Sequence, residues 1–70
     1  MAKKTWMVEQ LWTITVEGDP MTVPVRGVVE AKTKKEAEAG AEKACREAAE
    51  QIGMPEGAKP KGKAQAMYAI

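Results

Sequence analysis

Seventy residues with eleven basic and ten acidic side chains, a formal net charge of +1, make one small domain (residues 1–70) with a marginal core. No global field draws such a chain to nucleic acid or an anionic membrane, and oligomerisation is the expected source of missing burial. No histidine and a single cysteine, Cys45, speak against an intramolecular disulfide, the usual zinc sets and any cofactor.

The chain starts Met1-Ala2-Lys3-Lys4 and then mixes residue types, without a signal-peptide core. No apolar run approaches the roughly 20 residues that span a bilayer, so the expectation is a cytoplasmic protein with no membrane partner. Over residues 6–16 the even positions carry Trp6, Val8, Gln10, Trp12, Ile14 and Val16, and the odd ones Met7, Glu9, Leu11, Thr13 and Thr15. This period of two predicts a strand with one buried face. After Gly18-Asp19-Pro20 the rhythm resumes on odd positions, Met21, Val23, Val25, Val29 and Ala31, which predicts a second, antiparallel strand.

Pro20 has no N–H to close a two-residue turn over Gly18-Asp19, so the sequence predicts a four-residue loop over 18–21 with Glu17 opposite Thr22. The same register sets Trp12 opposite Gly27, where the absent side chain leaves room for the indole, and Leu11 opposite Val28. A bulge at Gly27 is the alternative reading. Pro24 confines the second strand to an edge and leaves the first in the centre.

Thr33-Lys34-Lys35-Glu36 reads as a capping box in which Thr33 accepts the N–H of Glu36 and Glu36 reaches back to the N–H of Thr33. A helix follows over residues 34–52, burying Ala37, Ala41, Ala44, Cys45, Ala48 and Ile52 until Gly53 and Pro55 stop it. Its outer face carries opposite charges four apart, Glu42 with Arg46, Lys43 with Glu47 and Arg46 with Glu50, a solvated surface. A loop over 53–62 leads to a last strand over 63–70, with Ala64, Ala66, Tyr68 and Ile70 on one face. The expected class is α+β, with order β-β-α-β. Its antiparallel-rich sheet has three strands in the order second, first, third, and one alanine-rich helix covers one face. Small helix residues then complement Trp6, Trp12 and Tyr68 on the sheet.

One helix covers only one face of three strands, so the other stays open. It is expected to carry Met7, Leu11, Val28, Met67 and Ala69, and Met7, Leu11, Val28 and Met67 are the candidate interface, with a homodimer the expected assembly. An ordinary solvated sheet face is the alternative. Lys3, Lys4, Lys32, Lys34 and Lys35 gather at one pole, where an anion is the candidate ligand and a solvated patch the bland alternative. Lys59, Lys61 and Lys63 are placed at the opposite pole. No ring is expected among either group, which disfavours single-strand nucleic-acid binding. Cys45 lacks a histidine base and reads as a small buried thiol, the acidic residues form no metal set, and no catalytic residue is assigned.

The stretch from Val28 to Ala37, Val-Val-Glu-Ala-Lys-Thr-Lys-Lys-Glu-Ala, after Trp12-Thr-Ile-Thr-Val-Glu-Gly18, resembles the strand, capping box and alanine helix of small accessory proteins in tailed phages of high-GC actinobacteria. That resemblance implies a small cytoplasmic protein made in an infected host, of a kind often without known activity and sometimes acting by binding a host protein, and it carries over no functional residue. The function expected is a non-enzymatic module that self-associates and binds a protein through its open sheet face or edge. The alternative is a small nucleic-acid- or anion-binding protein using the lysine pole.

Overall fold

The computed structural model describes residues 2–70. Strand β1, Lys4–Val16, and strand β2, Asp19–Ala31, form a long antiparallel hairpin, followed by helix α1, Lys34–Ile52, and the short strands β3, Lys59–Pro60, and β4, Gln65–Ala69. The sheet is ordered β2, β1, then β3 and β4 in one lane, all antiparallel to β1. The α+β class and the central place of the first strand are as the alternation predicts.

The hairpin register differs from the expected one. Val16 pairs with Asp19, and Glu17-Gly18 forms a two-residue turn with φ of 52° and 85°. Positive φ at both central residues belongs to the primed turns whose twist suits a hairpin, and glycine supplies the second at no steric cost. Placing the turn one residue earlier than Gly18-Asp19 lets Asp19, not Pro20, supply the closing N–H. In an antiparallel ladder bonded and non-bonded pairs alternate, so Thr15↔Pro20 and Leu11↔Pro24 both fall at non-bonded positions. Both prolines therefore direct their missing donors outward, along the free edge of β2, where the gap discourages strand addition.

Consequently Trp12 pairs with Val23, Leu11 with Pro24, Met7 with Val28, and Val8 with Gly27. The slip is an even number of residues, so each side chain keeps its predicted face. Gly27 admits the helix rather than an indole: a Cβ there would stand 3.2 Å from the backbone oxygen of Ala44.

In the third lane Lys61 N–H donates to the Leu11 carbonyl at 2.8 Å and Ile70 N–H to the Thr5 carbonyl at 2.7 Å. Between them β4 is irregular, because Val8 pairs with Ala66 whereas Met7 pairs with Tyr68, leaving Met67 as the extra residue of a bulge. The bulge reverses the alternation. Tyr68 lies opposite Met7 on the uncovered face instead of under the helix, and Ala69, opposite Trp6, moves to the helix side.

Thr33 caps α1 by accepting Glu36 N–H at 3.2 Å, while the Glu36 carboxylate accepts Lys32 N–H at 3.2 Å, one residue upstream of the predicted donor. Gly53, in the left-handed region, ends the helix by donating to the Ala49 and Glu50 carbonyls. Ala37, Ala41, Cys45 and Ala49 are buried against Val8, Trp12, Val25, Ala31, Ala64 and Ala66. Ile52 occupies the same helical arc yet is 65% exposed, since β3 ends at Thr13 and only the two-stranded hairpin continues beyond. Of opposite charges among the described residues, only Arg26 and Glu9 close to within 4 Å, so the three helical pairs remain open.

Gln10 is the buried polar residue of this core. Its amide donates to the Gly62 carbonyl at 2.8 Å and accepts the Trp12 indole N–H at 3.1 Å, tying the loop between β3 and β4 to the central strand. The Trp6 indole N–H donates to the Ala31 carbonyl at 3.0 Å and so anchors the end of β2. The molecule is 48 Å long, because the hairpin overhangs the helix.

Candidate functional site

Alternation along β1 and β2 places Thr5, Met7, Glu9, Leu11 and Thr13 beside Glu30, Val28, Arg26, Pro24 and Thr22 on the face away from α1. Pairing with the third lane adds Tyr68 beside Met7 and Gln65 beside Glu9. The face therefore reads in rows: Val28–Met7–Tyr68, then Arg26–Glu9–Gln65, then Pro24–Leu11. Tyr68 is 57%, Val28 55%, Met67 45% and Leu11 44% exposed, whereas Met7 is half-buried between its neighbours.

Three of the four predicted interface residues, Met7, Val28 and Met67, come together at one end. Leu11 stands two rows away beside Pro24. Between the apolar rows Arg26 Nε donates to Glu9 Oε2 at 2.8 Å, and that hydrogen bond with the adjacent negative charge raises the guanidinium pKa further. Glu9, Leu11, Lys61, Gly62, Lys63 and Gln65 line a shallow cavity of about 320 Å³ at the flank of this face. Lys61 Nζ donates to Thr22 Oγ1 at 3.3 Å across the sheet.

Tyr68 was hidden from sequence reasoning. Strict alternation from Ala64 assigns it to the core, and a bulge in a five-residue strand has no signature that periodicity detects. Its exposure also corrects the premise that every aromatic ring of the chain lies under the helix.

The pairing Lys4↔Ala31 brings the start of β1 beside the end of β2, so Lys3, Lys4, Lys32, Lys34 and Lys35 do share one pole, all exposed. The Glu36 carboxylate, held by Lys32 N–H, lies within that cluster. Lys59 and Lys61, by contrast, run beside Thr13 and Leu11 at mid-length instead of at the opposite pole, which is formed by Glu17, Gly18 and Asp19.

Cys45 is fully buried, with Sγ directed at the Val25 carbonyl 3.8 Å away. Burial, and secondarily the charge of Glu9, raises its pKa, which keeps the thiol protonated. No group of three or more potential metal-ligating side chains occurs among the described residues, and no described helix is long and apolar enough to cross a membrane. Comparison with protein-family models, curated proteins and solved structures gave no match to this chain.

Proposed function

We propose that this chain is a small non-enzymatic binding module that self-associates and engages a protein partner through its open sheet face. The observation that carries the reading is the exposed apolar row Val28–Met7–Tyr68, extended by Met67 and by Leu11 against Pro24, on the side α1 does not cover. A chain of 70 residues buries little area in its own core, and a contiguous exposed apolar set on so small a domain supports reading it as a contact surface. The buried, protonated Cys45 supports the absence of nucleophilic chemistry from the reading. The resemblance to phage accessory proteins extends the proposal to a host protein as the partner.

Light scattering of the full chain into the millimolar range tests it. Wild type is expected to form a dimer, and Val28→Asp or Leu11→Asp is expected to give a folded monomer, since both positions are already exposed. A wild type that stays monomeric throughout removes self-association. Unfolding of the Asp variants instead would place the helix on the other face.

The convergence of five exposed lysines, with Tyr68 uncovered on β4, supports a second reading as an anion or nucleic-acid binder. Binding of random-sequence DNA would then weaken steeply with salt, because each neutralised phosphate releases counterions. A weak, salt-independent signal discards that reading.

A further inference from the structure

The open face holds more than apolar area: between its two apolar rows lies a charged row, Arg26 beside Glu9, with opposite signs on adjacent strands, while Glu30 beside Thr5 and Lys61 reaching Thr22 lie at the two ends of the face. We infer that this face is a self-complementary dimer interface whose two-fold axis runs parallel to the strands, between β1 and β2. The occupant is a second copy of the chain, and the inference rests on the self-association reading above.

A face-to-face pair of identical sheets needs a two-fold axis lying in the plane between them. If that axis runs across the strands, β1 lies on β1 and β2 on β2, so an axis at the charged row brings Glu9 against Glu9 and Arg26 against Arg26. With the axis directly over β1, Glu9 again meets Glu9. Displaced toward β4, it leaves Val28 uncovered and turns Leu11 toward Lys61. Set between β1 and β2, the axis leaves Tyr68 at the flank and brings each row of the hairpin onto a compatible one: Met7 onto the second copy's Val28, Glu9 onto its Arg26, and Leu11 onto its Pro24.

The two ion pairs then form a square of alternating sign between two apolar rows. Aligned sheets pack about 10 Å apart, a gap that an arginine and a glutamate side chain bridge together. The side chain of Arg26 is 66% exposed, so it is available to a second acceptor beyond Glu9. Charges arranged this way set the register of an interface and reject the wrong one.

Charge reversal separates this geometry from self-association in general. Arg26→Glu leaves two acids in the central row and Glu9→Arg two bases, and each alone is expected to weaken the homodimer about a hundredfold in sedimentation equilibrium. Mixed, they are expected to form a one-to-one heterodimer, acid row on base row, with circular dichroism showing each variant folded. A dimeric wild type whose two variants associate unchanged, or do not prefer each other, overturns the axis while self-association stands. A monomeric wild type overturns both.

Wild type alone gives a second test that needs no variant to fold. In a mixed labelled and unlabelled sample, isotope-filtered NOEs are expected between copies from Met7 to Val28 and from Leu11 to Pro24. Intermolecular contacts of Leu11 with Met7, or of Met7 with Tyr68, would overturn the inference.

Discussion

Gln10 is buried among alanines, valines and an indole because both ends of its amide are engaged, by Trp12 Nε1 and by the Gly62 carbonyl. Gln10→Leu removes both bonds and leaves the indole N–H and the carbonyl without partners, so a loss of about 1–3 kcal/mol is expected. Urea denaturation would show a lower midpoint with an unchanged slope. Gly27 is constrained from the other direction, since the helix backbone at Ala44 occupies the space of its side chain. Gly27→Val should cost about 1–3 kcal/mol by forcing α1 off the sheet, readable in the same experiment. Cys45 presents a simpler outcome: alkylation of the native protein is expected at least about a hundredfold slower than in denaturant, because reaction requires opening of the core.

Among the elements, the hairpin turn and the helix cap make the sharpest expectations. Glu17 holds a φ of 52° that a non-glycine residue other than asparagine or aspartate adopts at some cost. Glu17→Asn should therefore stabilise the protein by several tenths of a kcal/mol, whereas a four-residue loop in which Glu17 is an ordinary strand residue predicts no gain. The thermal midpoint decides. Thr33→Ala, by removing the acceptor for Glu36 N–H, should cost about 1 kcal/mol. The capping residue and the helix limits were legible in the sequence because they depend on residues three or four apart. The turn was not, as choosing between two adjacent dipeptides depended on which N–H faces the partner strand, a fact that Pro20 alone did not settle.

For the molecule as a whole, the consequence of a 13-residue hairpin beneath a 19-residue helix is an overhang. Thirteen strand residues reach about 43 Å and nineteen helical ones about 28 Å. Past Thr13 the hairpin has neither helix nor third strand, and Val16 and Met21 are exposed on what would have been the core side. Amide exchange at Ile14, Val16 and Met21 is expected at least about a hundredfold faster than at Val8 and Val25, which lie under α1. Equal protection along the strands would mean that the arm is covered in solution, and dilution would then expose it.

The sequence by itself determined the α+β class, the central first strand, the face each residue of β1 and β2 takes, and the capped alanine helix. Periods of two and of 3.6, a capping residue and a proline are local signals, and an even register slip leaves faces unchanged. Only the tertiary structure decided that Met7 and not Leu11 adjoins Val28, that Tyr68 faces outward through the bulge at Met67, and that Arg26 finds Glu9. Each depends on the alignment of one strand with another. That alignment is set by one turn dihedral and one extra residue, whose effects are felt many residues away, where no local pattern records them.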